Sequence, residues 1–260
     1  MSKYQPLSPQ LVMNIRWNRF RDYRHAEHEH LVSVVAPEVS RVAAELPLVF
    51  VENSQGKVEL MALLGLKANT NHCLNEDFTW NPAYIPAILR AHPFKLLPVQ
   101  GGKPTERTLC VDVDSPWVGK NAREGFFQST ATEKPELTST LQEIANFLIE
   151  LEQHRHKTNL AVQSIGDLQL LKPLDLRTIN GRPIEGVYQI DEDKLNKLDD
   201  QTWLQLRKQG GVALAYAQMI STHQLPRLKA WAKDYITPDT ADEIDLDRVF
   251  GEADDDIFKF

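Results

Sequence analysis

WNPAYIPAILRAHPF, residues 80–94, is the densest run of aromatic, proline and apolar residues in the chain, and it carries one charge, Arg90. Pro82, Pro86, Pro93 and the following Pro98 each fix φ and delete a backbone donor, so the path is rigid. Pro86 suits the first turn of a short helix, Pro86–Ala91. Pro93 forbids its continuation, because the residue before a proline avoids the α region. The stretch therefore predicts a turn, one or two helical turns, a sharp stop and then a strand, Phe94–Val99. Trp80, Tyr84, Ile85, Ile88, Leu89 and Phe94 supply apolar area, while Tyr84, Arg90 and His92 need partners wherever they are buried.

Upstream, His30–Leu46 reads as helical, with Pro37 near its start and Val39, Val42, Ala43 and Leu46 at helical spacing. Leu48–Val51 and Val58–Leu66 read as two strands joined by the polar tract Glu52–Lys57 around Gly56. Met61–Leu66 is apolar on both faces, the mark of a strand with neighbours on each side. Downstream, Gly101-Gly102 marks a turn, Arg107–Val113 a strand and Gly119–Glu136 a polar loop. Leu137–Val162 follows a 3.6-residue period through Leu141, Ile144, Ala145, Leu148 and Leu151. A strand is expected near Leu168–Leu171. Asp175–Ile190 is expected as a hairpin about Asn180-Gly181. Short helices follow from Asp191, over Gln201–Lys208, Val212–Ser221 and Leu225–Trp231. The fold class is α+β: a mixed, mainly antiparallel sheet with a long helix and a C-terminal helical group packed on it. One globular domain, 1–237, precedes an acidic tail, 238–260.

Charge is unevenly placed. Pro238–Phe260 holds nine Asp or Glu against two Lys or Arg, so the rest of the chain, with 27 of each sign, is neutral. A neutral body argues against nucleic acid as a partner. The apolar runs are too short for membrane insertion. The opening residues lack an export pattern, so a cytoplasmic location with Cys73 and Cys110 as reduced thiols is expected. In the tail, Ile244, Leu246, Val249, Phe250, Ile257, Phe258 and Phe260 are interleaved with the acids, the pattern of a segment that docks on a partner, with a solubilising tail as the equal alternative.

Candidate chemistry is sparse. Arg16, Trp17, Arg19, Phe20, Arg21, Tyr23 and Arg24 alternate bases with rings, which reads as an edge segment packing its aromatics on the body. His25, His28 and His30 do not share one face of a helix or strand, so a solvated segment is expected rather than a metal site. His72-Cys73 reads as an ordinary loop pair. Asp112 and Asp114 precede Ser115-Pro116, where capping the turn is the commoner role. The binding residues expected are Trp80, Tyr84, Arg90, His92, Phe94 and Asp112, with no metal and no cofactor.

Several blocks in order resemble the SapC-like family of bacterial proteins. They are Ala44–Phe50, Met61–Leu66, Trp80 with Tyr84–Ala87, Arg90, Pro93 and Phe94, and Leu109–Asp112 with Ser115-Pro116. Phe147-Leu148, Leu168–Pro173, Gly186–Tyr188 with Ile190–Glu192, and Tyr216-Ala217 with Ser221 continue the series. The likeness spans roughly residues 5–232. It implies a link to bacterial surface layers, or to TonB-dependent uptake systems, flavin-dependent halogenases and cupin-like oxygenases, and brings no catalytic residues. The function expected is a non-catalytic binding or adaptor protein with a protein or peptide partner, in the resemblance's terms a halogenase or oxygenase. The alternatives are a metal-dependent enzyme or accessory using Asp112, Asp114, His92, Arg90 and Tyr84, and a surface-layer structural protein.

Overall fold

A computed structural model describes residues 3–53, 56–99, 101–103, 106–128, 135–177 and 183–233. In chain order its elements are β1 (Tyr4–Pro6), β2 (Arg16–Trp17), β3 (Leu31–Ser33), α1 (Val39–Ala43), β4 (Leu48–Glu52), β5 (Val58–Leu63), β6 (Phe94–Pro98) and β7 (Arg107–Asp112). Then come β8 (Val118–Gly119), β9 (Phe127–Gln128), β10 (Glu136–Leu137), α2 (Ser139–Asp167), β11 (Leu171–Pro173) and β12 (Val187–Ile190). The described residues end with α3 (Glu192–Asn196), α4 (Asp200–Lys208), α5 (Gly211–Ser221) and α6 (Leu225–Lys233). Every named ladder is antiparallel.

The chain is α+β, with two cores bridged by one helix. A five-stranded sheet, β11-β12-β4-β5-β3, and a three-stranded sheet, β1-β7-β6, are separate layers. The larger core sits on the first sheet around Leu46, Phe50, Leu63, Leu64, Ile165 and Leu214. The smaller gathers Trp17, Phe94, Val111, Phe126, Leu141 and Leu148. At 1.5 Å per residue α2 is about 43 Å long, enough to serve both. Leu141 and Leu148 near its start enter the small core, and Ala161, Val162 and Ile165 near its end enter the large one.

α5 covers the five-stranded sheet through its few polar side chains. Ser221 Oγ accepts from Leu48 N–H at 2.8 Å, and Gln218 Oε1 accepts from Ile190 N–H at 2.9 Å. The turn into α5 has Gly210 at φ +85°, which a Cβ would disfavour. A Cβ on Gly211 would overlap Leu206, so that glycine lets α5 sit close to α4.

Several expectations change. Leu31–Ser33 is an edge strand and only Val39–Ala43 is α-helical. The valine-rich run before Pro37 favours extended backbone, and Pro37 sits in a 3-10 turn. Pro86–Ala91 shrinks to a 3-10 turn at Ala87–Leu89, because Pro86 itself is extended at ψ 137°. α2 runs to Asp167, since Ser164 and Ile165 are still buried, so the next strand begins at Leu171. Val187–Ile190 pairs with Leu171–Pro173, and the Ile184 N–H bond to Leu176 O and the Arg177–Pro183 bridge continue the pairing through the expected hairpin arms, so the hairpin is longer than expected rather than different. The Asn180-Gly181 turn lies outside the described residues. β8, β9 and β10 are short ladders within and beside a stretch read as loop.

Candidate functional site

The Trp80–Phe94 stretch does not stand alone. Its rings interlock with those of the basic-aromatic segment upstream. Trp17 meets Phe94 edge to face at 4.9 Å, Tyr23 meets Trp80 at 5.6 Å, and Phe20 meets His92 at 6.2 Å. His25 stacks on His92 with centroids 4.1 Å apart and planes 5° from parallel. The aromatics of residues 14–25 therefore pack on the body, as expected. His25 does not lie in solvent; it is half-buried in this seam, while His28 is exposed and His30 faces Asn69. The spread of the three histidines over a turn and a strand entry separates them. Among the described residues no group of three or more His, Cys, Asp or Glu is arranged to hold a metal.

Most polar groups of the stretch are committed internally. Trp80 Nε1–H donates to Tyr84 O at 2.9 Å. Tyr84 O–H donates to Glu38 Oε2 at 3.0 Å, and Ala87 N–H donates to the same oxygen at 2.8 Å. Val35 N–H donates to Glu38 Oε1 at 3.2 Å. Glu38, 5% exposed, thus fastens the proline turn to the start of α1, and the sequence gives no local sign of it. Arg90 donates twice to Ile85 O and lies 4.7 Å over the Tyr84 ring. Asp112, buried, accepts from Lys3 N–H at 2.9 Å and Asp114 N–H at 3.2 Å, so it closes the turn before Pro116. His72 and Cys73 are buried, and burial pushes the Cys73 thiol well up. Both cysteines are free.

His92 and Phe94 are the two expected binding residues that line a cavity of about 270 Å³. Around it stand Tyr4 from β1, Leu31 and Ser33 from β3, Glu59 and Met61 from β5, Lys95 from β6, and His25 and Glu29. A second cavity of about 280 Å³ shares Ser33, Ile88 and Lys95 with it and continues along Leu96 and Leu97 to Leu148, Leu151, Glu152 and Arg155 of α2. The two make one groove between the sheets.

The imidazoles in the groove are neutral. His25 Nε2–H donates to Leu89 O at 3.2 Å, leaving Nδ1 buried with no partner. Burial lowers the His25 pKa from 6.5 to about 4, and burial with the neighbouring His25 lowers that of His92 to about 3. His92 Nε2 shares a hydrogen bond of 2.8 Å with Ser115 Oγ; Ser115 is outside the cavity lining. Burial and then the Asp112 charge push the Tyr4 phenol up, and Lys95 Nζ lies 4.8 Å over its ring.

The lining of the groove includes two edge strands, β3 and β6. In the β3–β5 ladder, Val34 N–H donates to Leu60 O and Leu64 N–H to His30 O. Antiparallel pairing alternates, so Val32 also faces β5, and the N–H and C=O of Leu31 and Ser33 point away. In the β6–β7 ladder, Asp112 N–H donates to Pro93 O and Val99 N–H to Glu106 O, which turns Leu96 N–H and C=O outward. β3 and β6 are each the outer strand of their sheets. Leu31, Ser33 and Leu96 belong to the lining of the groove, while Phe94 N–H donates to Ala91 O and Pro98 has no N–H.

No curated protein and no solved structure matches the chain. No helix among the described residues is long and apolar enough to cross a membrane. A family model described as SapC matches residues 7–228, a span that takes in the five-stranded sheet, β6, β7 and α2, and ends before the acidic segment. The chain belongs to the SapC family.

Proposed function

We propose that this protein is a non-catalytic binding or adaptor protein of the bacterial cytoplasm that holds an extended segment of a partner polypeptide between β3 and β6. The observation that carries this reading is the pair of open strand edges on one groove. An extended chain satisfies alternating N–H and C=O groups along its whole length, and its side chains alternate between flanking pockets. The first cavity offers Tyr4, Glu29, Glu59 and two neutral imidazoles to one side chain; the second offers Leu148 and Leu151 with Glu152 and Arg155. Against a catalytic role, Tyr84, Arg90 and Asp112 are engaged away from the groove, and of the proposed enzyme set only His92 lines the first cavity.

The test is selection of extended peptides from a random displayed library against the whole protein, followed by affinity measurement on two variants. Ser33→Pro deletes the outward N–H without touching the β3–β5 ladder, a placement that edge strands tolerate. Ser33→Ala keeps it. Binding about tenfold weaker in the proline variant alone, roughly 1.4 kcal/mol, is the expected result. Equal binding by both variants, or selection of no peptide, overturns the proposal.

A further inference from the structure

A different face of the molecule carries an independent inference. From Gln201 to Lys233 there is no Asp or Glu, while Arg207, Lys208, Arg227, Lys229 and Lys233 are all basic. α5 holds no charged residue, and only its inner side, through Leu214, Ala215, Gln218 and Ser221, is buried. A helix apolar all round is ordinarily covered all round. Here Tyr216 and Ile220, one turn apart, are 41% and 61% exposed, and Leu204 on α4 is 40% exposed. Trp203 joins the two helices by meeting Tyr216 edge to face at 6.3 Å. Arg207 and Lys208, one turn beyond Trp203 and Leu204, are exposed and form no ion pair among the described residues.

We propose that this face is the seat of the chain's own acidic segment, Pro238–Phe260. Charge complementarity is the argument: residues 201–233 carry five bases and no acid, Arg227 alone of them pairs with a carboxylate, Glu45 at 3.0 Å, among the described residues, and this run is joined through the four residues after Lys233 to a stretch with nine acids and two bases. The apolar pattern agrees. Phe250, Ile257, Phe258 and Phe260 lie among those acids, and the exposed Leu204 is one turn from Lys208 on α4. Reach is no obstacle, because twenty-odd residues span many times the width of a helix.

The experiment uses the full chain carrying Ile220→Cys and measures alkylation of that thiol, with Ile149→Cys on α2, 47% exposed, as the open-surface control. The native thiols, both buried, react slowly. The seat predicts labelling of Cys at 220 about fivefold slower than the control at low salt, with the protection lost near 1 M salt, where charges are screened within about 3 Å. Replacing Asp254, Asp255 and Asp256 by Asn in the same full chain removes the protection at low salt. Equal rates at both positions overturn the proposal. So does protection unmoved by the Asn changes, or protection that grows with protein concentration, which places the segment on a second copy instead. None of these outcomes touches the groove between β3 and β6.

Discussion

Two regions of this molecule are built from similar material and meet opposite fates. The seam between residues 14–25 and 80–94 and the α4–α5 face both combine rings, aliphatic side chains and arginines. In the seam, Trp17 and Phe94 are 1% exposed, and Glu38, backbone carbonyls and a Tyr84–Arg90 contact engage its polar groups. On the α4–α5 face, Tyr216 and Ile220 stand in the open, and Arg207 and Lys208 form no ion pair among the described residues. The difference lies in the carboxylate. One buried Glu38, accepting three hydrogen bonds, turns a ring-rich corner into scaffold; without such an acceptor, the other face stays available.

That contrast is open to direct attack, starting with the largest effect. Phe94→Ala should destabilise the fold by about 4 kcal/mol, the range of a fully buried aromatic, read from urea unfolding. A loss below about 1 kcal/mol would mean the seam is not core. Glu38→Ala should cost about 3 kcal/mol, because it strips the acceptor from Val35 N–H, Ala87 N–H and Tyr84 O–H; Glu38→Gln, which keeps a carbonyl, should cost about half as much. Trp80→Ala should cost about 2 kcal/mol, since that ring is half-buried and its area loss is correspondingly smaller. At the other end, Tyr216→Ala and Ile220→Ala should each change stability by less than about 0.5 kcal/mol. A larger loss would show that the α4–α5 face is part of the core.

The pH dependence sharpens the same comparison. Unfolded imidazoles titrate near 6.5, but folded His25 titrates at about 4 and His92 at about 3. Between those values and 6.5 the unfolded chain binds more protons. Stability is therefore complete above about pH 6.5 and falls as pH drops toward 4, with each imidazole contributing on the order of 1 kcal/mol per pH unit. His25→Phe should flatten that slope in equilibrium unfolding, and an unchanged slope would show that the stacked pair is not held neutral.

Much of this fold is legible in sequence, and the missing parts share a cause. The Leu48–Leu66 hairpin is announced by two apolar runs about a polar loop, and α2 by its 3.6-residue period; both signals are local. β3 is obscured because a three-residue strand and a five-residue helix share one apolar window around Pro37. The His25–His92 stack leaves no trace, since its rings come from distant segments with no common spacing. Glu38 is hidden for the same reason: one acid near the start of a helix looks like a response to the dipole, and only the fold shows it reaching Tyr84 and Ala87. The two open edges are likewise a property of strand order, which hydrophobic patterning does not encode.

The central claim is that the outward backbone groups of β3 and β6 receive an extended partner. Residue-resolved amide exchange of the whole protein, with and without a library-selected peptide, tests it most directly. Slowed exchange at Leu31, Ser33 and Leu96, with Val32 and Val34 unchanged because β5 already holds them, is the predicted pattern. Protection confined to other parts of the surface, with those three amides exchanging as freely as before, would contradict it.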